Sequence, residues 1–226
     1  MQTIKILGVL LAYPTADLQE HMSELKAAIE SDELLTGKAQ KNLFQHMNDI
    51  ARRPLIRLQE DYVALFDRSR VHSLYLFEHV HGESRDRGQA MVDLIGQYRA
   101  QGFELKAREL PDYLPLFLEF LSAQPFVEAQ SSLGEIVHII AAIGAKLKAR
   151  QSSYHHVFRA LESLTEIKAD KKFVEAALAQ ADEVDESLEA LDKEWEETPA
   201  FDGVGNAACA VCPQSTPSDP STTRSM

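Results

Sequence analysis

The sequence predicts an all-α fold, a globular bundle of many helices without a sheet. Apolar residues recur at intervals of three and four along almost every long segment, which is the period of a helix with one buried face. No segment shows the alternation of apolar and polar residues between turn residues that indicates a β-strand. Breaks at proline, glycine and paired serine predict about nine or ten helices, too many and too short for a simple four-helix bundle.

The helical period is clearest in three segments. Their apolar residues are Leu114, Phe117, Leu118 and Leu121; Leu133, Ile136, Ile140, Ile143 and Leu147; and Leu161, Leu164 and Ile167. A last helix is predicted to begin after Asp170, as its N-cap, and to end near Glu197. The apolar run 6–12 predicts a buried first helix rather than a signal peptide, since the run is short and no cleavage site follows it.

The domain organisation follows from composition. We expect residues 1–197 to form one helical domain and residues 198–226, which are rich in Pro, Ser and Thr, to form a flexible tail. Residues 68–88 are the least regular part of the domain, and there we expect a short helix and a loop.

Charge and cysteine content exclude several classes of function. Thirty-five acidic residues against 23 basic ones give a net charge of −12, which argues against a nucleic-acid partner. Cys209 and Cys212 form neither a disulfide framework nor a complete zinc site, so no metal or cofactor is expected. No apolar run is long enough for direct membrane insertion, and we expect a cytoplasmic protein. The acidic segment 182–197 offers an alternative function, a scaffold that attracts a basic partner.

A pair of Glu-x-x-His motifs suggests a different alternative, a di-iron carboxylate oxidoreductase. The motifs are Glu78 with His81 and Glu135 with His138, and such pairs on helix faces ligate iron in ferritin-like bundles. Chance alone produces such pairs in a sequence this rich in Glu and His. In addition, glycine directly follows His81, and Ser132 with Glu135 reads as a capping box at a helix start.

Three motifs carry a resemblance to a known family. Residues 74–91, an aromatic patch followed by a dense polar run, resemble the signature of the nitrate reductase branch of the TorD/DmsD/NarJ family of molybdoenzyme assembly chaperones. Residues 109–113 are similar to the E-x-P-D-H element of that family, with Tyr113 where many members carry His. Residues 61–67 resemble its Tyr-x-x-Leu-Phe motif, and the whole resemblance spans roughly residues 1–200.

The resemblance implies an all-helical, non-catalytic protein that takes part in nitrate assimilation and binds an unfolded client. The implied client is the apo α subunit of respiratory nitrate reductase, recognised partly through its N-terminal peptide, a relic of a twin-arginine-type leader. The chaperone would support molybdenum cofactor insertion and complex assembly without becoming part of the final enzyme. We expect a monomer or a segment-exchanged dimer, because long terminal helices can exchange between chains.

A candidate peptide-binding site follows from this implication. A peptide held as an amphipathic helix lays its apolar face in a groove and its basic residues against acids on the rim. The expected apolar contacts are Tyr75, Phe77, Tyr113 and Phe117. The expected acidic contacts are Glu78, Glu83, Glu109 and Asp112. The remaining candidates are His79, His81, Arg85, Arg87 and Pro111.

Two of these assignments have competing structural roles. Asp112 is also a candidate N-cap for the helix that begins near Leu114. Arg85 and Arg87 are also candidates to lock their own loop by pairing with its acids.

Overall fold

A computed structural model describes residues 1–68, 70–81, 85–105 and 109–183 of the chain. These residues form twelve α-helices and no β-strand, so the predicted all-α fold is confirmed. Residues 198–226, predicted as a tail, and the acidic segment beyond Glu183 lie outside the described residues.

The twelve helices follow one another with short connections. They are α1 (Gln2–Leu11), α2 (Ala16–Glu20), α3 (Met22–Asp32), α4 (Gly37–Arg52), α5 (Leu55–Tyr62), α6 (Glu78–His81), α7 (Arg85–Ala100), α8 (Leu114–Ser122), α9 (Phe126–Glu135), α10 (Val137–Ala149), α11 (His155–Ser163) and α12 (Lys171–Glu183). A π-helical turn, Val63–Asp67, extends α5, and a 3₁₀ turn, Arg70–His72, follows it.

The first helix lies in the core, as its apolar run predicts. Seven of the ten residues of α1 are buried, and the helix packs chiefly against α8. The close approach depends on Gly8, since a Cβ there would lie 3.0 Å from the carbonyl oxygen of Pro115 and 3.2 Å from the Cβ of Leu118. The four apolar residues that predict α8, Leu114 to Leu121, are also buried.

Two helix breaks escape prediction, which explains why twelve helices occur among the described residues instead of nine or ten. The chain breaks at His21, between α2 and α3, and at Ile136, where α9 and α10 meet across a bend of 66°. Neither residue is a proline or glycine. The predicted capping box is wrong, because Ser132 lies inside α9 and Glu135 is its last residue rather than part of a helix start.

The C-terminal helices differ from the prediction in one further place. Helix α11 ends at Ser163, and Ile167 is 51% exposed in the connection that follows, so the Leu161, Leu164 and Ile167 pattern does not mark one helical face. The predicted cap of α12 is confirmed, since the Asp170 carboxylate accepts a hydrogen bond from the backbone N–H of Lys172 at 2.9 Å.

The helices are short relative to the thickness of a bilayer. Among the described residues, no single helix is long and apolar enough to cross a membrane. Only α9 and α10 taken together reach that length and apolarity, and the 66° bend separates them.

A buried histidine joins α4 to the start of α11. His46 is 1% exposed, its Nδ1 lies 2.9 Å from the hydroxyl of Ser153, and its ring meets the edge of Tyr154. Burial, with smaller contributions from His156 and His155, lowers the pKa of His46 to about 3.

The packing at Gly8 leads to a stability prediction. Gly8→Leu should lower the free energy of unfolding by about 1–3 kcal/mol, because the added side chain forces α1 and α8 apart. Gly96→Leu is the matched control: it lies in α7 with nothing within 4 Å of its Cβ position, so it should be neutral or slightly stabilising. Urea unfolding measures both, and equal effects would contradict the close α1–α8 contact.

The low pKa of His46 leads to a pH prediction. Below pH ~6.5 the unfolded chain protonates this histidine and the folded chain does not, so stability falls as the pH decreases toward about 3. His46→Gln removes this contribution and should reduce the loss of unfolding free energy between pH 7 and pH 5 by about 2 kcal/mol. His21→Gln is the control, because the Asp17 carbonyl and the nearby Glu24 raise the pKa of this exposed histidine, so its loss should not reduce the pH dependence. Unchanged pH dependence in the His46 variant would refute the assignment.

Candidate functional site

The candidate site is built on a short pairing between two connecting segments. The N–H of Leu76 donates to the carbonyl of Asp112 at 3.0 Å, and the N–H of Leu114 donates to the carbonyl of Leu74 at 2.8 Å. These two bonds form an isolated antiparallel bridge between Tyr75 and Tyr113. Residues 74–77 and 109–113, two of the motifs that carry the resemblance, therefore lie side by side.

Tyr75 lies half-buried against its bridge partner. Its ring centroid is 5.4 Å from that of Tyr113, and its hydroxyl donates a hydrogen bond to Oε2 of Glu109 at 2.9 Å. Burial raises the pKa of the Tyr75 hydroxyl, and the Glu109 carboxylate raises it further, so the phenol keeps its proton.

A second tyrosine connects this pair to the first helix. The hydroxyl of Tyr62 donates to the carbonyl of Leu11 at 2.9 Å and lies 3.2 Å from the hydroxyl of Tyr113. The ring of Tyr13 stands edge-on to Tyr62, with centroids 5.5 Å apart, and Tyr13 is 47% exposed. A line of contacts thus runs from Tyr13 through the buried Tyr62 to Tyr113 and Tyr75.

Two carboxylates border this line of tyrosines. Asp67 ends the π-helical turn that follows Tyr62, and burial together with the nearby Glu109 raises the pKa of Asp67. Within the described part of the chain, no basic side chain lies within 4.0 Å of either carboxylate. We call Tyr13, Asp67, Tyr75, Glu109 and Tyr113 the tyrosine–carboxylate surface.

Asp112 lies beneath this surface and does not act as a helix cap. It is 0% exposed, and its Oδ2 accepts the backbone N–H of Phe77 at 3.1 Å. Tyr113 holds the N-cap position of α8, with no side-chain capping bond, so the N-cap role predicted for Asp112 is wrong. Burial raises the pKa of Asp112, and the Phe77 N–H and the charge of Arg87 oppose that shift.

Arg87 joins this buried carboxylate to a second acid. Its Nη2 donates to Oε1 of Glu78 at 3.2 Å and lies 4.0 Å from Oδ2 of Asp112. The alternative role predicted for Arg87, pairing with the acids of its own segment, is therefore confirmed at Glu78.

Several of the predicted contact residues face inward. Pro111, Asp112 and Phe117 are buried, and their predicted contact with a peptide stays a prediction. Phe77 packs against the core, and Nε2 of His79 donates to the carbonyl of Ser73 at 2.8 Å.

Three predicted residues cannot be placed. Glu83 lies outside the described residues, as do the side chains of His81 and Arg85.

The sequence prediction omits three residues that the structure brings to the site. Tyr62 and Asp67 belong to the 61–67 motif, which was a usable signal for both. Tyr13 lies about fifty positions before that motif and has no local signal other than the proline that follows it.

Comparison with known proteins identifies the family. Residues 13–160 match the model of a family described as nitrate reductase delta subunit. The chain belongs to this family. The predicted membership of the nitrate reductase branch is confirmed.

The names of three relatives of this chain describe them as assembly chaperones. This chain is 43% identical over 198 residues to the nitrate reductase molybdenum cofactor assembly chaperone NarJ of Escherichia coli (strain K12). The aligned region covers 87% of this chain and 83% of that protein. The chain is 41% identical to the probable chaperone NarW of the same strain, over 87% of this chain and 82% of that protein. The probable NarJ of Bacillus subtilis (strain 168) is 28% identical over 78% of this chain and 95% of its own length.

These relatives support a chaperone role for this chain and confirm the prediction that it is not an enzyme. The di-iron alternative is not supported. Glu135 and His138 lie on different helices, and Nδ1 of His138 accepts the N–H of Asp170 at 2.9 Å. Among the described residues, no group of three His, Cys, Asp or Glu side chains is placed to hold a metal ion.

The buried position of Asp112 leads to a third prediction. Asp112→Ala should lower the free energy of unfolding by about 1–3 kcal/mol, because the N–H of Phe77 loses its acceptor inside the protein. The control is Asp93→Ala on α7, where an exposed carboxylate accepts only from Gln89 and the expected change is within about 0.5 kcal/mol. Equal unfolding curves for the two variants would contradict a structural role for Asp112.

Proposed function

We propose that this chain is a chaperone that binds the apo catalytic α subunit of nitrate reductase, partly through the N-terminal peptide of that subunit. It supports molybdenum cofactor insertion and assembly of the complex, and it is not part of the final enzyme. This function places it in the cytoplasm, in nitrate assimilation. The family and the names of its relatives support the chaperone role. The proposed peptide contact rests instead on the residues of the candidate site.

The tyrosine–carboxylate surface is the observation that supports the proposed peptide contact. It combines flat aromatic faces with two carboxylates that have no basic neighbour within 4.0 Å among the described residues. Leu110, which is 42% exposed, adds an aliphatic side chain next to Glu109. An apolar area edged by these two carboxylates suits an amphipathic segment with basic side chains.

Aromatic rings add to this preference for cations. A Lys or Arg side chain placed over a tyrosine face is attracted by the ring quadrupole, typically by about 0.5–1 kcal/mol at exposed sites. Tyr13 is the most exposed ring of the surface, and Tyr75 and Tyr113 are half-buried. The same residues thus supply apolar area and a bias toward positive charge.

The residues of the site fall into two groups by accessibility. The proposed contacts are three residues of the predicted set, Tyr75, Glu109 and Tyr113, together with Tyr13 and Asp67. The buried or partly buried side chains around Asp112 act by holding the bridge in place, as positioning residues.

The charge of the surface leads to a binding prediction. The double variant Asp67→Asn with Glu109→Gln should weaken binding of a synthetic N-terminal peptide of the cognate α subunit by roughly three- to tenfold, because each exposed ion pair contributes about 0.2–1 kcal/mol. Fluorescence anisotropy measures the affinity, and added salt should reduce the difference between variant and wild type. Glu128→Gln, an exposed acid on α9, is the control with an isosteric change elsewhere.

The same variants test the chaperone role in cells that lack the native protein. Molybdenum content of the purified α subunit should fall with the double variant and stay at the wild-type level with Glu128→Gln. Wild-type peptide affinity in the double variant would refute the contact surface. Full molybdenum content in cells without any copy of the chain would refute the chaperone role.

A further inference from the structure

A groove on another part of the molecule has the opposite charge from the tyrosine–carboxylate surface. Helix α10 forms its floor, α11 and α12 form its two sides, and the connection between them closes one end. The groove has a volume of about 720 Å³. A second cavity of about 270 Å³ extends it past that connection and shares Arg159, Glu162, Lys168 and Ala169 with it.

Small and aliphatic side chains line the floor and one side of the groove. Four small residues on one face of α10 line the floor: Ala141, Gly144, Ala145 and Ala149. Val174 and Leu178 of α12 add aliphatic side chains. Ala141 and Gly144 are buried against the neighbouring helices, since a Cβ at Gly144 would lie 2.9 Å from the Cβ of Phe158. Ala145 and Ala149 therefore form the open part of the floor.

The rim of the groove is basic in a protein of net charge −12. Four cations line it, Lys148, Arg159, Lys168 and Lys171, against two carboxylates, Glu162 and Glu175. Arg159 pairs with Glu162 at 2.9 Å. In the described ranges, no carboxylate oxygen lies within 4.0 Å of the three lysines.

We propose that this groove binds an acidic amphipathic helix of a partner protein. The lysines come from three parts of the chain that line the groove: α10, α12 and the connection before α12. A volume of about 720 Å³ is close to that of roughly one and a half turns of helix with side chains. Apolar residues of the partner cover the floor, and its carboxylates meet the rim lysines.

This site is independent of the proposed peptide site, because the two partners carry opposite charge. A basic peptide suits the carboxylates of Asp67 and Glu109, whereas the groove repels it. The inference therefore stands or falls separately from the proposed function.

The experiment uses the full chain and two synthetic peptides labelled for fluorescence anisotropy. One peptide is an amphipathic helix with Leu and Ala on one face and Glu on the other, and the second has Lys in place of every Glu. The acidic peptide should bind to the wild type with an affinity that falls as salt increases. The double variant Lys148→Glu with Lys171→Glu should weaken its binding at least tenfold.

Matched controls separate the groove from general charge effects. Lys172→Glu with Lys38→Glu makes the same change in net charge at exposed lysines that do not line the groove, and it should change the affinity less than twofold. Ala149→Trp fills the groove from an exposed position and should also weaken binding without lowering the unfolding midpoint.

Three results would overturn the proposal. The first is no binding of the acidic peptide to the wild type, and the second is equal weakening by both pairs of charge reversals. The third is self-association of the wild type in sedimentation velocity that the groove variants abolish, because a second copy of the chain would then be the occupant.

Discussion

The buried residue Asp112 fixes the pairing that places Tyr75 against Tyr113 in the tyrosine–carboxylate surface. Its side chain accepts the N–H of Phe77 and its carbonyl accepts the N–H of Leu76, so one residue holds the segment before α6 against the start of α8. Burying a carboxylate costs free energy, and here the Phe77 N–H and the charge of Arg87 offset that cost. Tyr75 and Tyr113 face each other only because this pairing sets their register.

The fold could be predicted where the helical period of apolar residues is strong, as in α1 and α8, because burial on one face leaves a direct trace in the sequence. The breaks at His21 and Ile136 could not be predicted. Neither residue is a proline or glycine, so the sequence carries no signal for a break at these positions. The end of α11 at Ser163 was also missed, since Ile167 keeps the helical spacing while the helix has already ended.

The site was predictable at the level of segments and not of side chains. Residues 74–77 and 109–113 were identified from their motifs, and they do lie together. Composition could not show that Asp112 faces inward, because the direction of a side chain in a connecting segment depends on its partner segment. The burial of Phe117, in contrast, follows from the helical spacing of apolar residues in α8. Tyr13 reaches the site through Tyr62, a contact between distant parts of the chain that no local spacing encodes.

The direction of the phenol hydrogen bonds has a consequence for what the surface can bind. Tyr62 donates its single proton to Leu11, so the 3.2 Å contact with Tyr113 requires Tyr113 to be the donor, while Tyr75 donates to Glu109. All three protons are committed within the protein, which leaves oxygen lone pairs and ring faces for a ligand. A molecule bound over these three phenols must therefore bring its own N–H or O–H groups, whereas the hydroxyl of the exposed Tyr13 lies outside this set.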